Sequence, residues 1–420
     1  NLPKLRLLNL RDCKSLRKIP DLSLAPNLEM LDISYCSSLH HELPSLSSFP
    51  SLERLEIHGC LNLKKFPEVP LHITTLNLSG TSVEEIPKSV MELECLEYLS
   101  LSGCPLTNFP ENLPRSIKSL YLDQTNILAV PSSIGSFSEL SKLHMSGCER
   151  LKTIPTSLCR LKHLEYLDFS NCSRLDSFPE ILEPMETLWK LDLSGTALKG
   201  LPPSLSFLVG LMELRLNDCR NLTSLPNNLC SLTSLRLLYV QNCPNLVYVP
   251  DIKSLWRLYA DETALLQLPS SAGHLEELSL SRCKDLKLGL FSGLTSVSNL
   301  CLRDSNISEI TEHLGKLTNL SRLDLSKNEF TRIPTTIRRL PNLAELLLIS
   351  CKRLRSVPIL PPGLKILDAH NCTSLESVAQ QPHCKPDDED GSCSYIFSNC
   401  FNLDQNSYNK IVAHAQLKFQ

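Results

Sequence analysis

Residues 188–202 read LWKLDLSGTALKGLP, and this stretch decides how the whole chain is organised. Its apolar residues Leu188, Leu191 and Leu193 form the motif LxxLxL, in which the last two leucines flank a polar residue. Such alternation predicts a short β-strand that is buried on one face. The motif recurs seventeen times between Leu5 and Leu364, with the first apolar residues 20 to 24 positions apart. One repeat cannot bury its own apolar edge, so we expect neighbouring repeats to stack.

The composition fits one long repeat array. A chain of 420 residues would ordinarily suggest about three domains, but the repeat runs through most of the length. With 42% hydrophobic residues the chain can bury a large core. The 42 basic and 45 acidic residues are spread along the chain, which disfavours a nucleic-acid or anionic-membrane surface. No apolar run approaches the roughly 18 residues that a membrane span needs.

The period is that of leucine-rich repeats. The predicted fold class is therefore an α/β repeat solenoid, a leucine-rich-repeat horseshoe with a parallel inner β-sheet and a mostly irregular or short-helical convex side. We assign residues 1–378 to the array, residues 379–394 to an acidic linker and residues 395–420 to the start of another domain. The first residues align with the tail of a preceding repeat, so we expect the array to be truncated at its N-terminal end.

A small polar residue follows each motif by three positions. In leucine-rich repeats this is the ladder position, where a buried side chain satisfies backbone groups of the turn. Eleven of the 18 cysteines occupy it. The ladder comprises Cys13, Cys36, Cys60, Thr81, Cys104, Thr125, Cys148, Cys172, Thr196, Cys219, Cys243, Thr263, Cys283, Ser305, Asn328, Cys351 and Cys372.

The ladder cysteines are expected to be free thiols. Cysteine is small, readily buried and a modest hydrogen-bond donor. Stacked side chains point the same way, which leaves their Cβ atoms farther apart than a disulfide prefers. Interchange with Thr, Ser and Asn also indicates that size and hydrogen bonding are what the position requires. The remaining group, His383, Cys384, Cys393 and Cys400, lacks the paired spacing of zinc modules, so we expect no metal.

The repeats resemble those of plant intracellular immune receptors. The pattern LxxLxLxxCxxLxxxP alternates with the tighter LxxLxLxGTxLxxLP, which residues 188–202 and 76–81 match, and this is similar to the repeat region of the TIR-NB-LRR class. The resemblance covers about residues 1–378. It implies a TIR domain that cleaves NAD and an NB-ARC switch that binds ADP or ATP, both outside this chain. The chain has no GxxxxGK[ST] loop, so we expect no cofactor and no enzyme activity in it.

The C-terminal residues carry two further features. Residues 386–391, PDDEDG, are interpreted as a solvated acidic linker. Residues 397–403, FSNCFNL, resemble the opening of the post-LRR domain of this class, a jelly-roll or immunoglobulin-like β-sandwich. The stretch from Gln405 to Phe419 has the spacing of an amphipathic helix.

The predicted concave face is the candidate binding surface. Tyr, Trp and Arg dominate protein interfaces when they are desolvated. These types are concentrated in repeats five to twelve, and the resemblance implies a pathogen effector or a guarded host protein as partner. The alternative is that the aromatic side chains merely pack on one another. The candidates are Tyr98, Tyr121, His144, Tyr166, Asp168, Trp189, Asp192, Arg215, Tyr239, Trp256 and Tyr259.

A basic rim follows the ladder. One interpretation is that these side chains are solvated charges on exposed turns. The other is that they dock onto the receptor's own NB-ARC domain, for which the first candidates are Lys14, Arg17, Lys18, Lys64 and Lys65. The rim continues with Arg150, Lys152, Arg220, Arg353 and Arg355.

The leading interpretation is the ligand-sensing and autoinhibitory region of a cytoplasmic or nuclear receptor that oligomerises on activation. Asp168 and Asp192 could form a catalytic carboxylate pair, but paired acids on an open sheet are more often a charged patch. Six N-x-S/T sequons leave an extracellular receptor ectodomain open, and a general interaction scaffold also remains. The sequons are Asn77, Asn171, Asn221, Asn306, Asn319 and Asn371.

Overall fold

A computed structural model describes residues 2–19, 22, 24–39, 42–284, 293–379 and 393–416. The chain divides into two compact units, Asn1–Cys219 and Arg220–Gln420, which we call the first and the second unit. The acidic linker predicted at residues 379–394 lies almost wholly outside the described residues, as do His383 and Cys384.

The first unit contains ten parallel strands, and each pairs in register with the next along the chain. The strands are β1 (Leu7–Asn9), β2 (Met30–Asp32), β3 (Arg54–Glu56), β4 (Thr75–Asn77), β5 (Tyr98–Ser100), β6 (Ser119–Tyr121), β7 (Lys142–His144), β8 (Tyr166–Asp168), β9 (Lys190–Asp192) and β10 (Glu213–Arg215).

The second unit continues the same pattern with eight parallel strands in one sheet and a separate two-stranded sheet of β17 and β19. The elements are β11 (Leu237–Tyr239), β12 (Arg257–Tyr259), β13 (Glu277–Ser279), β14 (Asn299–Cys301), β15 (Arg322–Asp324), β16 (Glu345–Leu347), β17 (Ser356–Val357), β18 (Ile366–Asp368), β19 (Ser377–Val378), β20 (Ser394–Ile396) and α1 (Gln405–Gln416).

Every predicted LxxLxL motif forms one three-residue strand, which confirms the fold class. The middle residue of a strand is the buried leucine, as at Leu99, Leu120 and Leu143, all with no exposed surface. The residues on either side of it therefore point to the opposite face. We call this the exposed sheet face of each unit, and it carries the candidate binding residues.

Short 3₁₀-helices connect many of the strands, as the prediction of a short-helical outer side requires. Those described are Lys88–Glu92, Ser132–Ser136, Thr156–Arg160, Pro203–Phe207, Asn227–Ser231, Ser270–His274, Glu312–Lys316 and Thr335–Arg339. A proline precedes seven of these eight, for example Pro87 and Pro155. Proline suits this place because its φ is fixed and because the residue before a helix has no need of its N–H.

A left-handed residue stands immediately before each ladder position. In all seventeen repeats its φ lies between 55° and 74°, and five of these residues are glycines. The others include Asp12, Asn171 and Asn242, types that tolerate this conformation best after glycine. The left-handed residue turns the chain sharply and aims the next side chain inward.

The ladder cysteines donate hydrogen bonds to the preceding repeat. The Sγ atom of Cys219 lies 3.2 Å from the carbonyl oxygen of Leu193, and Cys60 and Cys148 make bonds of 3.1 Å to the equivalent carbonyls. Burial raises the pKa of the Cys60 thiol to about 11, so it keeps its proton at neutral pH and remains a donor. Cys13 is the exposed exception.

The threonine of one repeat donates to the same carbonyl oxygen as the ladder cysteine of the next repeat. Thr196 Oγ1 donates to the carbonyl oxygen of Leu193, in its own strand segment, at 2.7 Å. That oxygen is also the acceptor for Cys219. In the tighter repeat the side-chain hydrogen bond thus stays within the repeat, whereas the cysteine bond joins two repeats.

Asn328 satisfies more of the turn than any cysteine can. Its Nδ2 donates to the carbonyl oxygens of Leu302 and Leu325 at 2.8 and 2.9 Å. Its Oδ1 accepts from the backbone N–H groups of Ser305 and Ile307 at 3.1 and 3.0 Å. One buried amide therefore pairs four backbone groups.

The repeat geometry extends past the predicted end of the array at residue 378. Strand β20 pairs in register with β18, and Cys400 donates to the carbonyl oxygen of Ala369 at 3.2 Å, which is the ladder bond again. Asn399 supplies the left-handed residue, with φ 60°. The boundary at 378 is thus a correction: residues 394–400 form a further strand and turn of the repeat sheet. A sandwich domain beginning at residue 395 stays a prediction.

The left-handed glycines give a first prediction. A Cβ built on Gly103 would meet nothing closer than 3.6 Å, so Gly103→Ala should cost only the conformational penalty, about 1 kcal/mol. A Cβ on Gly195 would lie 2.5 Å from Asn171 Oδ1, so Gly195→Ala should cost at least about 1 kcal/mol more. Urea unfolding followed by circular dichroism measures both, and equal losses would contradict the steric argument.

The ladder gives a second prediction. Asn328→Ala should lower the free energy of unfolding by about 3 kcal/mol or more, because four buried backbone groups lose their side-chain partner. Cys219→Ala should cost only about 1 kcal/mol, because Thr196 still donates to the same carbonyl. The same urea titration compares them. A larger loss for the cysteine variant would show that side-chain volume, and not backbone pairing, decides the ladder residue.

Candidate functional site

The first unit brings five predicted binding residues together in one row across its exposed sheet face. We call Tyr98, Tyr121, His144, Tyr166 and Trp189 the aromatic row. Consecutive ring centroids are 5.2, 4.4, 4.5 and 6.4 Å apart. Tyr121 and His144 are direct partners in the register of β6 and β7. Tyr98 and Tyr166 stand two positions earlier on β5 and β8, and Trp189 immediately precedes β9, so these rings meet their neighbours diagonally.

Stacking determines which parts of these rings a partner can reach. The Tyr121 and His144 rings are nearly parallel, at 20°, so they cover each other's faces. All members are half-buried except Trp189, which is 41% exposed. Each aromatic pair contributes about 0.5–1.5 kcal/mol beyond its buried area, so the row is held rigid. A partner therefore meets ring edges along the row and an open indole at its end.

Charged side chains frame this end of the row. Lys190 Nζ lies 5.1 Å from the centre of the Tyr166 ring and 3.4 Å from Glu213 Oε1. Arg215, another predicted binding residue, pairs with the same carboxylate. Both cations are thus engaged within the sheet face, and Lys190 holds Tyr166 in place by a cation–π contact.

Burial makes the row neutral around pH 7. It lowers the pKa of His144, and this outweighs the opposing effects of Asp123 and Asp168. The pKa of Tyr166 is raised, first by burial and then by Asp168, whose Oδ2 accepts the phenol hydrogen bond at 3.2 Å. The row therefore presents uncharged rings to a partner.

Asp168 and Asp192 have a structural task that the sequence analysis did not foresee. Asp168 Oδ1 accepts from the N–H of Ser170 at 2.8 Å, and Asp192 Oδ1 accepts from the N–H of Ser194 at 3.0 Å. Asp32, Asp324 and Asp368 likewise accept a hydrogen bond from the backbone N–H two residues later in the chain. An Asp at the third strand position, followed two residues later by Ser in four of these five cases, was the available signal. These carboxylates order the turn, and burial raises the pKa of Asp192.

The second unit carries a separate aromatic group. Tyr239 and Tyr259 stack with centroids 4.8 Å apart and an angle of 8°. Trp256 is 52% exposed, and the Arg236 guanidinium lies 5.3 Å from its ring. Burial and a hydrogen bond with Glu277 raise the pKa of Tyr259 to about 12. The residues predicted as one surface are thus placed in two groups, one in each unit.

The basic rim is exposed throughout, as predicted for turns. Lys65 pairs with Glu42 at 2.9 Å, and Lys14 lies 3.8 Å from Asp12. Both pairs are on the surface, where an ion pair contributes about 0–1 kcal/mol, so they can be exchanged for a partner's charges. The other exposed members are Arg17, Lys18, Lys64, Arg150, Lys152, Arg220, Arg353 and Arg355.

Two further properties of the described part of the chain concern metal binding and membrane insertion. There, no group of three or more His, Cys, Asp or Glu side chains is arranged to hold a metal ion. None of the helices within the same residues has the length and apolar character that a bilayer crossing requires. Cys400, considered with the metal candidates, is a ladder residue.

Comparisons with known proteins agree with this geometry. Residues 116–260 match the model of a leucine-rich repeat region, and residues 95–115 and 319–340 match that of the leucine-rich repeat. Two similar curated proteins come from Arabidopsis thaliana. Disease resistance-like protein DSC1 is 31% identical over 241 residues, covering 54% of this chain, and disease resistance protein RPS4B is 31% identical over 242 residues, covering 51%. Each match covers 20% of the relative's length, so the matched half of this chain corresponds to about a fifth of those proteins.

Solved structures agree on the fold. A leucine-rich-repeat protein of Leptospira interrogans is similar with a TM-score of 0.69 and 22% identity, over 99% of this chain and 95% of the other. A chain of the Drosophila Toll–Spatzle complex gives a TM-score of 0.70 and 20% identity, over 86% of this chain and 51% of the other. At these identities the likeness concerns the fold alone. The chain therefore has the leucine-rich-repeat fold, and its repeats are similar in sequence to those of plant disease resistance proteins.

Proposed function

We propose that this chain is the ligand-sensing and autoinhibitory region of a plant intracellular immune receptor. In this proposal the exposed sheet faces bind a pathogen effector or a guarded host protein, and binding releases a nucleotide switch elsewhere in the receptor. The aromatic row carries the proposal, because five neighbouring rings in consecutive repeats, one pair stacked and three tilted, form a rigid, uncharged surface. Tyrosine and tryptophan, which supply four of these rings, are among the residue types that dominate protein interfaces.

The relatives support the receptor context. They are disease resistance proteins of which the matched part is about a fifth, so the remainder has room for other domains. By the family resemblance these are a TIR domain that cleaves NAD and an NB-ARC domain that binds ADP or ATP. The full-length receptor would oligomerise on activation. The role proposed for the present chain is binding, with the chemistry placed in those domains.

A protein partner fits the row better than a planar small molecule. The faces of the inner rings are covered by their neighbours, so a flat ligand has no gap into which to stack. Ring edges with hydroxyl groups, by contrast, suit the mixed apolar and polar surface of a protein. The even balance of charge along the chain also fits a protein partner better than nucleic acid.

The extracellular ectodomain is the alternative, and two sequons weigh against it. Asn77 lies on strand β4 and donates from Nδ2 to Glu56 at 2.8 Å. Asn319 donates from Nδ2 to the carbonyl oxygen of Thr295 at 3.1 Å. A glycan on either amide would have to displace a contact between neighbouring repeats, which supports the cytoplasmic interpretation. A general interaction scaffold, the other alternative, would bind partners in the same way but would not control a nucleotide switch.

Substitutions in the aromatic row test the binding role. In the full-length receptor, Tyr121→Ala with Tyr166→Ala should weaken partner binding at least tenfold, because truncating an interface aromatic typically costs about 2 kcal/mol or more. Tyr239→Ala, Trp256→Ala and Tyr259→Ala test the group in the second unit in the same way. Tyr248→Ala, at an exposed tyrosine outside the strands, is the matched control. Binding by surface plasmon resonance and cell death in leaves are the readouts, and full recognition by both sets of variants would exclude these faces.

Charge reversal in the rim tests autoinhibition. Lys64→Glu with Lys65→Glu should make the receptor signal without an effector, if these lysines hold an acidic face of the NB-ARC domain. Cell death in the absence of effector is the measurement. Because Lys65 pairs with Glu42, the exchange Lys65→Glu with Glu42→Lys restores the local pair alone. If the double charge reversal causes cell death and the exchanged variant does not, the autoactivity comes from loss of the local ion pair. If neither variant causes cell death without effector, docking through these lysines is excluded.

A further inference from the structure

An exposed apolar patch lies beside the open end of the aromatic row. It consists of Leu182, Trp189, Phe207, Val209 and Met212, and we call it the edge patch. Their exposed fractions are 65%, 41%, 44%, 42% and 48%. Together they expose on the order of 500 Å² of side-chain surface, which is at the upper end for a single apolar patch on a soluble protein and often marks a binding site.

Backbone contacts show that the patch is continuous along the edge where strands β9 and β10 begin. The N–H of Met185 donates to the carbonyl oxygen of Phe207 at 2.9 Å, and the N–H of Met212 donates to that of Trp189 at 2.8 Å. Ile181, next to Leu182 in the chain, donates from its N–H to Ser204 Oγ at 2.9 Å, in the helix that ends at Phe207. Trp189 belongs to both surfaces, since its ring centre is 6.4 Å from that of Tyr166.

The other repeats show that this apolar character is local. Six further repeats have a 3₁₀-helix with the same spacing to the next strand, and all end that helix with a polar residue. In place of Phe207 they have Glu92, Ser136, Arg160, Ser231, Lys316 and Arg339. In place of Val209 they have Glu94, Ser138, Lys162, Thr233, Thr318 and Pro341. Folding of the repeat thus does not require an apolar side chain at these positions, which leaves binding as the reason for it.

Exposed carboxylates border the patch. The carboxylate of Glu180 accepts from Ser204, which lies in the helix that ends at Phe207. Glu165 and Glu186 are exposed residues whose backbone carbonyls lie against Trp189 and Gly210. Of the nearby cations, Lys162 pairs with Glu183 at 2.6 Å and Lys190 with Glu213 at 3.4 Å, so these three glutamates are left in excess. This acidic border disfavours an anionic membrane and favours a partner with lysines or arginines.

The size of the patch argues against a stable pair of copies held by it alone. Stable complexes bury about 800 Å² on each partner, more than the patch exposes. A short segment that also contacts the aromatic row would reach that area. Such a segment needs an apolar side to cover the patch and basic residues to face the border.

We propose that the edge patch is the second half of the partner-binding surface and takes an amphipathic segment of the partner, apolar on one side and flanked by Lys or Arg. The proposal rests on the function proposed above and adds the chemistry of the segment that binds. The apolar contact supplies most of the affinity, and the carboxylates select basic over acidic segments.

Tryptophan fluorescence tests the proposal directly. The chain has two tryptophans, so Trp256→Phe leaves Trp189 as the reporter within the patch. The probe is a short synthetic peptide in which leucines at helical spacing form one side and lysines the other. It should shift the Trp189 emission to shorter wavelength in a saturable titration. The same peptide with glutamates in place of the lysines should bind at least tenfold more weakly.

Matched variants distinguish specific binding at the edge patch from nonspecific hydrophobic binding. Phe207→Ser, Val209→Thr and Met212→Ser together install residues that other repeats carry there, and they should weaken peptide binding at least tenfold. Leu71→Ser, at a leucine that is 63% exposed elsewhere in the first unit, should leave binding unchanged. Equal binding of both peptides, or no effect of the triple variant, would overturn the proposal. So would a concentration-dependent dimer, seen in sedimentation, that the triple variant abolishes.

The full-length receptor distinguishes this inference from the proposed function. Loss of recognition in the aromatic-row variants with full recognition in the triple variant would refute the edge patch and leave the proposed function standing. Full recognition in both would refute the proposed function itself. Loss in both is the result we expect.

Discussion

The structure depends on how each repeat pairs the backbone groups of its turn. The turn is buried between neighbouring repeats, where an unpaired carbonyl costs about 1–3 kcal/mol. A left-handed residue bends the chain, and a ladder cysteine that follows it donates to a carbonyl of the preceding repeat. Cys219 donates in this way to the carbonyl of Leu193, which also accepts a hydrogen bond from Thr196 of its own repeat. Each repeat thus completes its neighbour, and none is complete alone.

That constraint explains why cysteine is so common here. The ladder position needs a small donor that tolerates burial, and a thiol meets the requirement at little cost in desolvation. Its raised pKa, as at Cys60, keeps the proton on sulfur, so the donor is present throughout the physiological range. Asn328 shows the stronger solution, with four pairs from one amide. A turn served by cysteine is therefore held less firmly than one served by asparagine.

The same stacking creates the binding surface. Because strands pair in register, one side chain per repeat is brought into line with its equivalent in the next. Tyr121 and His144 are aligned in this way, and Tyr98, Tyr166 and Trp189 join them from offset positions to complete the aromatic row. Their mutual contacts make the row rigid before any partner arrives. Apolar residues placed at the edge of the strands, such as Phe207 and Met212, stay exposed by the same geometry. Because the strands and turns stay the same while the exposed residues differ, the same repeat can bind different partners.

Much of this was predictable from the sequence, and the limits have physical reasons. The apolar period placed the strand of each of the seventeen motifs, and the position after each motif located the ladder, because both follow from local spacing. Which rings touch, and the fact that Asp168 and Asp192 hold turns, could not be read from spacing, since these depend on side-chain directions. The boundary at residue 378 was set by where the leucine pattern fades, yet β20 and Cys400 continue the sheet without it. The sequence by itself determined the repeat, its register and its buried residues. Only the tertiary structure decided which exposed residues form a common surface, because neighbours across repeats are some 23 residues apart in the chain and meet only when the repeats stack.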